Sequence, residues 1–517
     1  MTLSKFIEKQ SKQIEFLEKL SRQAWWSLAT TGDEKYATQY REAEIDLRKI
    51  FSSRSDFEFL QGQPEPDDSL LKRQKTLLIH NYQENQIDPS LIEKIVKLET
   101  EIEAIYTNFR AEIQGVPFSN NDVKKILTGN NDSKKRQEAW EASKKIGEEV
   151  EGKVKDLINL RNESAKQAGF PDFYSMKLEI QEIEQKRLFE LLSHLDQLTA
   201  PYWNWYKPSL DESLAKKFKI SAYNLRSWHY HDPFFQEAPY QDIDLDQFYK
   251  GKDLVLISKH FYEGIGLHID DILEHSDLYE REKKNQHAFC TCIDRKQDVR
   301  ILCNMRDNEY WMGTLLHELG HAVYDKYIDQ SLPFLLRTVA HTSTTEAIAM
   351  LFGRLSKNGA FLSKFCGVDE QKANEIDALA KQYLAANLLV FARWILVMTH
   401  FERAMYQQPG ADLNTLWWDL VEQYQWINRI PGRNKPDWAS KLHLACAPVY
   451  YQNYILGEMT ASQLQHSLKS SMAPHVGEWL KTQLFSQGAK AHWESTLQNA
   501  TGEQLNPKYF AEDLRFV

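Results

Sequence analysis

Glycine and proline are scarce in this chain, at 21 and 16 of 517 residues. Few breakers means few tight turns, which excludes a fold built from many short strands. Long runs rich in Lys, Glu, Leu and Gln occupy the space between them and predict a mainly α protein. Cysteine is sparse as well. The five present (Cys290, Cys292, Cys303, Cys366, Cys446) are odd in number and lack CxxC spacing, so neither a disulfide framework nor a cysteine-held zinc is expected. A reducing cytoplasm fits them. No clean apolar run is long enough to prefer lipid. The longest, Tyr383 to Thr399, carries Asn387 and Arg393 in its middle and reads as a buried core helix. Positive charge is not in excess either: the net charge is −10, with lysines dispersed among acids, which leaves no footprint for nucleic acid. Met1 to Lys9 is amphipathic and charged where an export signal needs an apolar core, so no such signal is expected. What is there, 42% hydrophobic and 26% charged residues, describes a soluble globular protein with ample core.

The chain opens with several charged amphipathic helices over residues 1–115, a lid or rim interrupted by the polar, proline-containing stretch Gln61 to Asp68. From residue 116 to 517 the pattern reads as one catalytic body. Asp132-Ser133 is a cap for the helix containing Arg136 to Trp140, and Leu160 to Glu163 continues the helical reading. Trp228 to Phe235, dense in aromatic and histidine side chains, reads as a packed corner rather than a second metal site. His287 to Ile293 reads as a strand turned at Asp294 to Gln297 into Val299 to Cys303, the clearest hairpin in the chain. No internal repeat or low-complexity tract is apparent.

The next stretch carries the chemistry. Tyr310 to Tyr324 reads as one helix, with Leu315, Leu316, Leu319, Ala322 and Val323 at helical spacing and no proline to break it. His317 and His321, four residues apart, stand one turn above the other, so that two imidazole nitrogens reach one zinc ion at ~2.0 Å. Glu318 lies about 100° round the helix, beside the ion and not on it, where a base belongs. This is the HExxH pattern. A catalytic zinc takes a third protein ligand and keeps its fourth position open. Glu346 is the candidate. It opens a second apolar stretch, Glu346 to Phe352, preceded by Ser343, Thr344 and Thr345, any of which serves as a cap, and a loop at Asp329 to Pro333 lets this helix fold back on the first.

At these residues the chain resembles the angiotensin-converting enzyme family of zinc peptidyl-dipeptidases and, a little less closely, the thimet oligopeptidase and oligopeptidase F family. In both, an HExxH helix is followed at similar distance by a helix whose glutamate completes the zinc site; here the match is His317-Glu318-Leu319-Gly320-His321 with Thr345-Glu346-Ala347-Ile348, and it extends from about Ala139 to Tyr454. The resemblance implies a large helical single domain divided by a deep cleft, with a small antiparallel β element next to the zinc helix. It implies one Zn2+ per chain and short peptide substrates, with no nucleic acid, no membrane, and a monomer or small homo-oligomer.

The resemblance also assigns roles. His287 and Ala288 match a His-Ala pair that contacts the substrate backbone. Lys441, His443 and the tyrosines of Val449 to Tyr454 match a Lys-x-His followed by two tyrosines, with one extra residue before the pair. On that alignment Tyr454 and His443 donate to the tetrahedral oxyanion, while Lys441 and Tyr451 hold the substrate's C-terminal carboxylate; the extra residue leaves Tyr450 as a rival to Tyr451. Release of C-terminal dipeptides is then the expected reaction, with internal cleavage by an oligoendopeptidase and a catalytically inactive peptide-binding homologue as alternatives. Three departures stand out. Met350 replaces an acidic residue one turn after the ligand glutamate, so a zinc histidine needs another partner. Tyr230 stands near where the family has a glutamine that assists the lysine. Asn453 and Val421 replace two arginines of the family's chloride sites, so chloride activation is not expected.

Overall fold

The computed structural model describes residues 1–239 and 244–516. It is mainly α, as expected, with two small antiparallel hairpins among the described residues. The elements that matter for function are, in chain order, α1 (Leu3–Thr31), β1 (Ala111–Ile113), β2 (Val116–Phe118), α2 (Ser133–Gln167), α3 (Gln185–Phe218), β3 (Phe289–Cys292), β4 (Val299–Leu302), α4 (Glu309–Lys326), α5 (Thr342–Gly353), α6 (Glu370–Gln407) and α7 (Tyr451–Leu468). The chain forms two compact units: Met1–Gln86, Ile243–Ala380 and Leu456–Phe510 make one, and Ile87–Asp242, Lys381–Ile455 and Ala511–Val517 the other. The expected lid of residues 1–115 is thus shared, residues 1–86 falling in the first unit and 87–115 in the second.

In the first unit α1 buries Phe6, Ile7 and Ile14 against Leu60, Leu78, Tyr82 and Phe334. The polar stretch after Gln61 separates a helix ending at Gly62 from one starting at Ser69, where the Asp68 carboxylate caps the new helix by accepting from the Leu71 N–H. α4 starts where Asn308 accepts from the N–H of Trp311 at 3.0 Å, and it buries Met312, Leu315, Leu316, Leu319, Ala322 and Val323. Its apolar stripe is the one visible in the sequence. β3 and β4 pair in register, Phe289 opposite Leu302 and Cys292 opposite Val299, and β3 lies against α4. The strand is shorter than predicted: His287 and Ala288 precede it, His287 in an exposed bend whose N–H donates to Asn285 Oδ1.

α5 packs along α4 at a close approach that Gly320 permits. A Cβ on Gly320 would lie 2.8 Å from the Ala349 Cα, a backbone atom that cannot step aside. Gly457 of α7 does the same for the ligand candidate, since a Cβ there would meet the Glu346 Cβ at 3.2 Å. The start of α5 differs from the sequence reading. Glu346 is the fifth residue of the helix, not its first, and the cap is His341, whose Nδ1 accepts from the Ser343 N–H at 3.0 Å while the Thr344 hydroxyl accepts from the His341 N–H. Ser343 and Thr344 are buried inside the first turn, which is why they do not cap it.

In the second unit α2 runs 35 residues from the predicted Asp132 cap and includes both Trp140 and the Leu160 to Glu163 segment. The aromatic cluster beginning at Trp228 is a packed corner: Trp228, His229, Tyr230 and Phe235 are buried, and the His229 ring bonds Ser133 and the Arg226 N–H. α6 is the expected core helix. It is the one helix among the described residues long and apolar enough to cross a membrane, and its apolar window is mostly buried inside the protein. Its interior charge is accounted for, as Arg393 pairs with Asp196 and donates to Thr199 of α3. The hairpin of β1 and β2 has no counterpart in the sequence reading; its two-residue turn, Gln114-Gly115, has φ of 53° and 78°, as a tight hairpin requires.

Candidate active site

His317, His321 and Glu346 come together in the first unit. Their ligand atoms all lie within 4.8 Å of one another, with the His317 Nε2 3.8 Å and the His321 Nε2 4.0 Å from the Glu346 Oε2. Donors around a tetrahedral zinc stand about 3.4 Å apart, given bonds of ~2.0–2.1 Å. A small inward rotation of the side chains closes that difference. Burial pushes the two imidazoles down, to about 4 for His317 and about 3 for His321, so both are neutral and their lone pairs are free to ligate. Two neutral imidazoles and one carboxylate, with no fourth donor grouped with them among the described residues, match a catalytic zinc site and not a closed structural one.

His321 has a hydrogen-bond partner in Thr345. Its hydroxyl lies 2.7 Å from the His321 Nδ1, which turns the ring and leaves Nε2 for the metal. In the sequence Thr345 stood out only as a cap candidate; its place next to Glu346 on a helix facing α4 is what makes it a partner of the histidine. Thr345→Val, of nearly equal volume, is expected to weaken zinc binding about ten- to a hundredfold in a chelator competition, and unchanged affinity would show that the hydroxyl does not orient the ring.

Glu318 is 7% exposed and belongs to the same cavity without joining the ligand set. Burial first, and the neighbouring Glu346 second, push its carboxyl up to about 8; Glu346 itself is pushed up to about 7, again by burial first, then by Glu458. A bound dication reverses part of such rises, because opposite charge favours the ionised forms. The cavity, about 540 Å³, is walled by β3, α4 and α5 and by Arg22 of α1. Ala288 lines it, and His287 does not stand among the lining residues. Among the side chains here to which the sequence reading gave no role are Arg22, Cys290, Arg295, Asp325 and Arg337. Asp325 was readable, since it continues the four-residue spacing of His317 and His321 by one more turn.

The remaining candidates gather in the second unit. Lys441, 8% exposed, donates to the Gln236 Oε1 at 2.8 Å and sits 5.2–5.3 Å from the ring centres of Phe234, Trp394 and Tyr451. No carboxylate among the described residues comes within ion-pair distance of it. Burial lowers the ammonium to about 8, against the opposing pull of Asp232 and Glu237. Here the sequence reading needs correction. A glutamine does accompany the lysine, namely Gln236, while the Tyr230 hydroxyl is occupied by Lys207 and Asp211. Of the two rival tyrosines, Tyr451 is the one whose ring lies beside both Lys441 and His443, at 5.3 Å and 4.9 Å, and Tyr450 stacks edge-on with Tyr454 at 5.2 Å. His443 is pushed down to about 4 by burial, then by Lys441, and is therefore neutral; its Nδ1 is buried with no hydrogen-bond partner. Just before the tyrosines, Val449 has a φ of 54°, and its N–H and C=O are held by Glu402 and by Gln181 and Gln452.

Comparison with known proteins covers both ends of the chain. The family model of Peptidase family M3 matches residues 273–516, which include α4, α5 and the lysine and tyrosine cluster, and that of Angiotensin-converting enzyme matches residues 1–222. The chain is thus similar to one of these families over its C-terminal part and to the other over its N-terminal part. Among curated proteins, Carboxypeptidase 1 of Bacillus subtilis (strain 168) is 22% identical over 271 residues, covering 44% of this chain and 52% of that protein. The chain therefore spans about half the length of the curated relative it matches. Both peptidase families use zinc, which agrees with the donor set, and the matched segments extend the relationship beyond the Ala139 to Tyr454 span on which the sequence resemblance rested.

Proposed function

We propose that this chain is a zinc-dependent peptidase acting on short peptides, and that it releases dipeptides from their C-termini. The observation that carries the peptidase reading is the convergence of His317, His321 and Glu346 with Glu318 standing beside them, unligated and in the same cavity. The chemistry that zinc supplies there when bound is Lewis-acid activation of water and of the scissile carbonyl. The chain's own residues do the rest. Glu318 accepts a proton from the attacking water on its carboxylate and hands it to the leaving amine. Tyr454 and His443 donate hydrogen bonds to the oxygen that becomes negative in the transition state. Ala288 on the cavity wall, with the exposed His287 that precedes it, is assigned to the substrate backbone, and Lys441 with Tyr451 to the terminal carboxylate.

Lys441 supports the dipeptidase form of this reading, because a buried ammonium with spare donors and an accompanying glutamine is a ready receptor for a carboxylate. An oligoendopeptidase is the second reading, favoured by the family M3 match to the half that carries the metal ligands. One comparison separates them. Amidating the C-terminus of a short substrate is expected to lower kcat/KM about ten- to a hundredfold by removing a charge-assisted bond. Because the Lys441 ammonium is present below about pH 8 and lost above it, the preference for the free acid is expected to fade as pH rises through that value. Internal cuts at equal rates on acid and amide would replace the dipeptidase reading by the endopeptidase one. Cys292, Cys303 and Cys366 are free thiols in buried positions, which supports placing the enzyme in a reducing cytoplasm.

A further inference from the structure

We infer that Arg337 is a specificity-determining residue that receives a carboxylate of the substrate inside the metal cavity; the inference rests on the peptidase reading above. Three guanidinium groups, Arg22, Arg295 and Arg337, line the cavity together with His317, Glu318 and Glu346. The first two are engaged. Arg295 makes a two-pronged contact to Glu18 at 2.8 and 2.9 Å, and Arg22 donates to the Cys292 carbonyl at 2.7 Å and pairs with Glu18 at 3.0 Å. They also balance Asp325, whose charge they stabilise.

Arg337 is different. It is nine-tenths buried, its Nε is buried without any hydrogen-bond acceptor, and its nearest carboxylate, Glu15, stands 3.7 Å away, beyond hydrogen-bonding distance. Glu15 is also claimed by Lys296 at 3.1 Å. A guanidinium carries five donors and does not deprotonate; here the Nε is buried without an acceptor, which is costly unless a partner arrives. The partner that matches a planar fork is a carboxylate, and a peptide offers two sources: its C-terminus and an acidic side chain. Metal loading makes the cavity more positive, which favours the same kind of group.

The test is equilibrium binding of alanine-based hexapeptides to zinc-loaded Glu318→Gln protein, which holds substrate without turning it over. One series is acetylated and amidated and carries a single Glu, moved along the chain, against the same peptides with Gln. A second arm has no acidic side chain and compares free with amidated C-termini. At one Glu position the Glu peptide is expected to bind at least about tenfold tighter than its Gln counterpart, and adding Arg337→Gln is expected to bring that ratio near one; a free-acid preference that Arg337→Gln abolishes would instead move the terminal carboxylate from Lys441 to Arg337. The arm that shows it identifies the source. Arg337→Lys keeps the charge and loses the fork, so it is expected to retain part of the ratio. Glu15→Gln, which removes the competing carboxylate without touching Arg337, is expected to raise the ratio and serves if the arginine variants do not fold. A ratio unmoved by Arg337→Gln in protein of normal zinc content and melting temperature, or unmoved by Glu15→Gln, would overturn the inference and leave the peptidase reading intact. Absence of binding by every peptide would overturn both.

Discussion

Glu318→Gln is expected to keep about one zinc per chain while losing roughly a thousandfold or more of peptidase turnover. The two halves of this expectation have separate causes. Zinc is retained because His317, His321 and Glu346 are untouched and the amide is close in shape to the carboxylate it replaces. Turnover is lost because Gln has no basic oxygen to take a proton from water and none to give the leaving amine, whose departure without protonation is slow. Glu318 is suited to both steps, since its low-dielectric site raises its proton affinity. Near-normal turnover in the variant, measured by product mass on a short peptide, would mean that another group is the base.

The second large effect concerns the tyrosines. Tyr454→Phe is expected to lower kcat roughly a hundredfold or more with little change in KM, because a donor aimed at the developing oxyanion acts only in the transition state. Tyr451→Phe is expected mainly to raise KM, as its hydroxyl is assigned to the ground-state carboxylate and its ring borders Lys441. The two rings are neighbours, 5.5 Å apart, so a purely structural disturbance would affect both parameters in both variants. Equal effects from the two substitutions would show that the roles have been exchanged or that Tyr450 takes one of them.

The parts of this molecule legible in its sequence are those set by local spacing. The α4 stripe, the HExxH face and the Asp132 cap follow from a period of 3.6 and from cap chemistry, and they stand where that periodicity puts them. What depends on a neighbour in space is harder to read. Three hydroxyl residues before Glu346 suggested a cap, yet the helix begins four residues earlier because His341 supplies a better acceptor, and Thr345 is turned to His321 instead. Gln236 could not be matched by position, since the loop after Tyr230 decides which residue reaches Lys441. Gly320 looks like an ordinary spacer in the pentapeptide; only the Ala349 backbone beside it shows that the two helices carrying the candidate ligands touch there. Arg337 and Asp325 likewise gain meaning from the cavity they line and not from any motif.

Metal analysis of the purified protein and of its His321→Ala variant tests the central claim most directly. The expected result is close to one zinc per chain in the parent and almost none in the variant, both still folded by circular dichroism, because removing one of three ligands leaves too few donors to hold the ion. A parent protein that takes up no zinc when supplied with it, or a variant that binds as much zinc as the parent, would contradict the assignment of His317, His321 and Glu346 as the metal site.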